Sequence, residues 1–170
     1  GFDNPSTDIK QLKKEKAPIL LFIHGTFSSA AGGFGGFHPE VWKAIQQEYG
    51  ERIFGYDHRT LSLSPVENAV DLVKRLPVGA KLHLVTHSRG GLIGELLCRG
   101  GRKDRKTPFD ADDLSLVADN PAVAKALTDL SDLLAAKKIT VERFVRVACP
   151  ARGTALAGKK LDRWLEVIIN

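Results

Sequence analysis

Ser88 lies in the stretch Lys81-Leu82-His83-Leu84-Val85-Thr86-His87-Ser88-Arg89-Gly90-Gly91-Leu92, with Thr86 and Gly90 two positions to either side. A Thr-x-Ser-x-Gly spacing between an apolar run and an amphipathic one predicts a strand, a sharp turn and a helix. Such a turn holds a serine hydroxyl, strained and exposed, at the carboxyl edge of a sheet. The backbone N–H of Arg89 would point into the same space, where an oxyanion could sit. The chemistry this suggests is nucleophilic attack on an acyl carbonyl. It requires a base, because an unassisted hydroxyl barely ionises near neutral pH.

The elements that must position Ser88 follow from hydrophobic patterning. Residues 1–16 are polar and lysine-rich and read as a lead-in or linker; residues 17–170 read as one domain. Ile19 to Ile23 is an unbroken apolar run, as expected of a parallel strand covered on both faces. It runs into His24-Gly25-Thr26 and then the glycine-rich Gly32 to Gly36, for which an active-site loop and a disordered connection compete. Pro39 opens a helix striped by Val41, Trp42, Ile45 and Tyr49 and stopped by Gly50. A short strand over 52–56 leads to Asp57-His58-Arg59-Thr60. Ser64-Pro65-Val66-Glu67 is a capping box at the head of another helix. Beyond Ser88, Leu92, Ile93, Leu96 and Leu97 fit a core-facing helix. Residues 101–141 read as an insertion or decorated crossover, with a short helix over 110–119 and a longer one capped by Asn120-Pro121. A fourth strand spans 143–148, and a last helix about 159–169.

Strands alternating with helices predict an α/β fold, three-layer α/β/α, with a mostly parallel sheet. Every strand's carboxyl end then shares one edge, and ligands bind beyond it. His24 to Thr26, Asp57 to Thr60, Ser88 and Cys149 to Thr154 all fall there.

Composition narrows the classes. Apolar residues make up 43% and charged residues 26% of 170, ordinary for a globular domain. No run approaches the length of a membrane span. No secretory pattern opens the chain, and two cysteines are too few for a disulfide framework, which points to the cytoplasm. The formal charge is +5, concentrated in the lead-in and in Arg99 to Lys106, which should sit at the edge away from the chemistry. Aromatics are 7% and do not interleave with these runs, so nucleic acid is not an expected partner. The glycines of 32–36 lack dinucleotide-binding spacing, and the histidines lack supporting metal-ligand spacing, so no cofactor and no metal are expected. The chain contains no methionine, which predicts a processed chain or a fragment.

Ile19 to Thr26 resembles the strand and His-Gly oxyanion loop of lipase-type α/β-hydrolases, and Leu84 to Gly91 resembles their His-Ser-x-Gly-Gly nucleophile elbow. Cys149-Pro150-Ala151-Arg152-Gly153-Thr154 is similar to the loop that follows the next strand in many lipases. The combination also resembles the α/β-hydrolase-like domains attached in bacteria to caspase-like CHAT peptidase domains. The resemblance implies an α/β-hydrolase core, incomplete at the carboxyl end, acting on a small-molecule or lipid ester through an acyl-Ser88 intermediate. It implies an oxyanion hole from the N–H groups of Thr26 and Arg89, with His24, Gly25, His87 and Gly90 as supporting positions. It also places the first strand beside the third, and it admits a partner domain in the same polypeptide.

Two departures stand out. Thr86 occupies a position where the family usually has glycine, and a β-branched side chain there implies strain. The family order is serine, acid, histidine, yet His24, His38, His58, His83 and His87 all precede Ser88 or abut it, and none follows. Three accounts stay open: the acid and histidine lie beyond residue 170; the domain is a degenerate hydrolase kept for partner binding or regulation; or His58 acts as base in a non-family order.

Overall fold

The computed structural model describes Ile9, Leu12, residues 17–102, Asp104 and residues 106–149. The lead-in as a unit, Pro150 to Thr154 and the expected helix over 159–169 lie outside the described residues.

Four strands, β1 (Ile19–Ile23), β2 (Ile53–Tyr56), β3 (Lys81–His87) and β4 (Thr140–Val147), form an all-parallel sheet in the order β2-β1-β3-β4. β1 is buried along its whole length and pairs on both sides, Ile23 opposing Tyr56 on one and Thr86 on the other. The first strand therefore lies beside the third, as the resemblance implied. Alternate β1 residues serve opposite layers, as the two-residue period of a strand requires. Leu20 and Phe22 pack with Phe34 and Trp42 on one face. Ile19, Leu21 and Ile23 join Leu72, Ile93, Leu97, Leu130 and Leu134 on the other. This is an α/β fold in three layers.

The helices are α1 (Ala30–Phe34), α2 (Pro39–Tyr49), α3 (Pro65–Arg75), α4 (Gly90–Leu97), α5 (Ala111–Ser115) and α6 (Pro121–Lys137). Their starts follow the capping chemistry. Ser64 Oγ accepts from Glu67 N–H at 3.2 Å while Glu67 Oε2 accepts from Ser64 N–H at 2.8 Å. Asn120 Oδ1 accepts from Val123 N–H at 3.2 Å. The expected 101–141 connection is the later part of the crossover from β3 and runs into the start of β4, and its α6 inserts Leu127, Leu130 and Leu134 into the core.

Some expectations are corrected. The glycine-rich loop holds α1, capped by Ser29, whose hydroxyl accepts from Gly32 N–H at 3.0 Å. Phe34 anchors it, its ring 5.0 Å from that of Phe22. Two glycines within one short helical turn concealed it, because glycine weakens every helical signal. Val41 is exposed instead of lining the α2 stripe. β4 begins three residues early, at Thr140. Of the basic run, Arg99 pairs with Asp113 at 2.7 Å and Arg102 pairs with Asp104. Its positive charge is partly neutralised locally.

Candidate functional site

β3 ends at His87, and Ser88 turns the chain into α4 with φ +49°. A non-glycine residue with left-handed backbone costs about 1–2 kcal/mol. Packing holds it there. Ser88 N–H donates to Val147 O at 2.9 Å, and Ser88 O accepts from Gly91 N–H at 3.0 Å. The result is a serine at the tip of a sharp strand-to-helix turn, at the carboxyl edge of the sheet.

The loop after β1 closes on this turn through two glycines. A Cβ at Gly25 would lie 2.9 Å from Ser88 Cβ and 3.0 Å from His87 Nδ1. A Cβ at Gly90 would collide with the carbonyl oxygens of Ile23 and His24. Backbone therefore meets backbone, and Thr26 is carried next to Ser88. Among the described residues, the N–H groups of Thr26 and Arg89 have no hydrogen-bond acceptor. Both donors lie on the turns that meet at Ser88, and donors of this kind stabilise negative charge on an oxygen where they converge.

Thr86 is accommodated by its surroundings. It is fully buried, and its hydroxyl lies 3.4 Å from Val145 O and 3.3 Å from Cys149 Sγ. Space for it comes from α4, where a Cβ at Gly94 would lie 3.3 Å from the Thr86 methyl and 2.5 Å from the Phe144 ring. Cys149 fills the corresponding gap against Gly91. Both cysteines are free and half-buried, and burial pushes the Cys98 thiol up to about 11.

His24 holds the loop. Its Nδ1 lies 2.6 Å from Gly25 O, and its Nε2 accepts from His58 N–H at 3.1 Å. A nitrogen accepting that bond carries no proton, so Nδ1 is the donor to Gly25 O. The 3.6 Å approach of Nε2 to Asp57 Oδ1 is accordingly no ion pair in this tautomer. Asp57 Oδ1 instead accepts from Ala30 N–H at 2.6 Å, tying the start of α1 to the end of β2.

The segment after β2 is organised by buried Asn68 on α3. Its Oδ1 accepts from Arg59 N–H, and its Nδ2 donates to the carbonyls of Arg59, Leu63 and Ser64. The Arg89 guanidinium donates to Leu63 O, linking the elbow to that segment. His58 is buried, its ring stacked 4.2 Å from that of His24. Burial first, then the neighbouring His24 and Arg89, lowers its pKa to about 4. Its backbone N–H is bonded to His24, and its buried ring nitrogens have no close partner among the described residues beyond the nearby Tyr56 main chain.

His83 points under α2, where its Nδ1 lies 2.7 Å from Tyr49 Oη. His38 caps α2. No described side chain bonds the Ser88 hydroxyl, and no described cluster of three histidine, cysteine or carboxylate groups could hold a metal ion. The structure thus brings His24, Gly25, Thr26, His87, Ser88, Arg89 and Gly90 together. Asp57 and Asn68 were missed as site organisers. Their signals were a carboxylate directly after a strand's carboxyl end and an amide among the apolar residues of α3.

No helix among the described residues is long and apolar enough to cross a membrane. No curated protein and no solved structure matches the chain. A family described as a domain of unknown function matches residues 2–122, which take in β1, β3 and both halves of the site. The chain belongs to that family, DUF7379.

Proposed function

We propose that this domain is a serine hydrolase of lipase or esterase type, acting in the cytoplasm on a carboxylic ester through an acyl-Ser88 intermediate. One observation carries the reading: Ser88 sits at φ +49° on a strand-to-helix turn with Gly25 pressed against it. In the reaction, Ser88 Oγ attacks the ester carbonyl and passes its proton to a base. The carbonyl oxygen takes up the negative charge against the N–H groups of Thr26 and Arg89. Collapse expels the alcohol, protonated by the same base, and water then releases the acid. No histidine follows Ser88 in these 170 residues, so the reading requires a base that the elbow itself does not supply.

A second reading is favoured by the Ser88 hydroxyl, which no described side chain bonds: a hydrolase-like module kept for docking a partner domain in a larger bacterial protein. A fluorophosphonate probe on the longest polypeptide carrying this domain separates the two. Labelling at Ser88 that is lost in Ser88→Ala, with the fold retained by circular dichroism, supports catalysis. A folded protein left unlabelled by the probe supports the docking module.

A further inference from the structure

Phe27 is an exposed aromatic on the loop that Gly25 presses against the Ser88 turn. It is 68% exposed and has φ +56°, a conformation costly for a bulky side chain and easily met by glycine or asparagine. Single exposed apolar residues are common and need no account. Phe27 differs because the loop around it is anchored on both sides. Before it, Gly25 is clamped by His24 Nδ1 and by the Ser88 turn. After it, Ser29 caps α1, and Ala30 N–H is held by Asp57. A left-handed aromatic between two fixed points is strain retained at an outward-facing position, a pattern that concentrates at ligand contacts.

We propose that Phe27 forms the apolar lip on which the acyl chain of the substrate rests, so that the domain selects esters of medium-length aliphatic acids over acetate. This rests on the hydrolase reading of Ser88. Phe27 directly follows Thr26, whose N–H is the oxyanion donor in that reading. A carbonyl oxygen held there places the acyl carbons within reach of the next side chain. An aliphatic chain lying on the ring removes apolar surface of both from water. The Phe27 backbone is held on both sides, so binding orders the acyl chain and one side chain but not the loop.

The experiment uses the longest polypeptide carrying this domain and p-nitrophenyl esters from acetate to decanoate. The readout is the ratio of kcat/KM for octanoate to that for acetate. The expected result is a ratio well above one that falls about tenfold in Phe27→Ala. Leu116→Ala, another highly exposed apolar position (84%) but beyond the Arg99–Asp113 pair, should leave the ratio unchanged. Ser88-dependent turnover with a ratio that Phe27→Ala does not move overturns the lip while leaving the hydrolase. Turnover that persists in Ser88→Ala, or no turnover together with no fluorophosphonate labelling, overturns both.

Discussion

At Gly90 a single methyl group would collide with two main-chain carbonyls, of Ile23 at the end of β1 and of His24 just after it. Gly90→Ala should therefore cost about 3 kcal/mol or more in urea denaturation. Gly25→Ala meets side chains instead, Ser88 Cβ and the His87 ring, and should cost less, about 1–2 kcal/mol. An equal midpoint shift for the two would show that the loops do not meet through backbone at Gly90. His58 gives a pH signature. Its pKa is about 4 when folded and about 6.5 when unfolded. Between those values the unfolded chain binds the extra proton, so its contribution to stability is complete above pH 6.5 and lost as pH falls toward 4. The loss amounts to about 2–3 kcal/mol. His58→Phe keeps a ring between His24 and Tyr56 but removes the titrating group. Its melting temperature should fall less than the parent's between pH 6.5 and 4, which a thermal melt series would check.

Among the elements, the segment joining β2 to α3 depends on one amide. Asn68→Leu removes the partner of Arg59 N–H and of three carbonyls, at a cost of about 2–4 kcal/mol. It should also speed tryptic cleavage after Arg59; unchanged cleavage would mean that other contacts hold the segment. The sequence announced elements where a cap or an unbroken pattern marked them. Ser64-Pro65-Val66-Glu67, Asn120-Pro121 and the five apolar residues of β1 are local statements, and the structure follows them. It announced poorly what depends on distant partners. α1 exists because Phe34 finds Phe22 and Trp42, contacts invisible in a glycine-rich stretch. Thr86 read as strain because the space given by Gly94 and the neighbouring Cys149 lie elsewhere in the chain. The residues gathered at Ser88 were legible, since motif and sheet edge are both sequence properties. The clamps of Asp57, Asn68 and the Arg89 side chain were not, because a hydrogen bond across loops leaves no periodicity.

Across the whole molecule, protection should be graded from the centre of the sheet outward. β1 and β3 are paired on both sides and covered by both helical layers, whereas β4 is, with β2, an edge among the described strands. Its Val145 and Val147 are 53% and 47% exposed. Hydrogen exchange read by mass spectrometry should show β1 and β3 peptides exchanging last and β4 peptides well before them; uniform protection would mean that β4 is covered. The strand order has a further consequence, for how the molecule comes into being. β1 is made before the other described strands, yet its partner β3 is made only after α1, α2, β2 and α3. The apolar run Ile19 to Ile23 must stay unpaired on that side until then, exposed to chaperones or to other chains. Gly25 and Ser88 flank that same pairing, so the two halves of the site are joined in the event that ends this exposure.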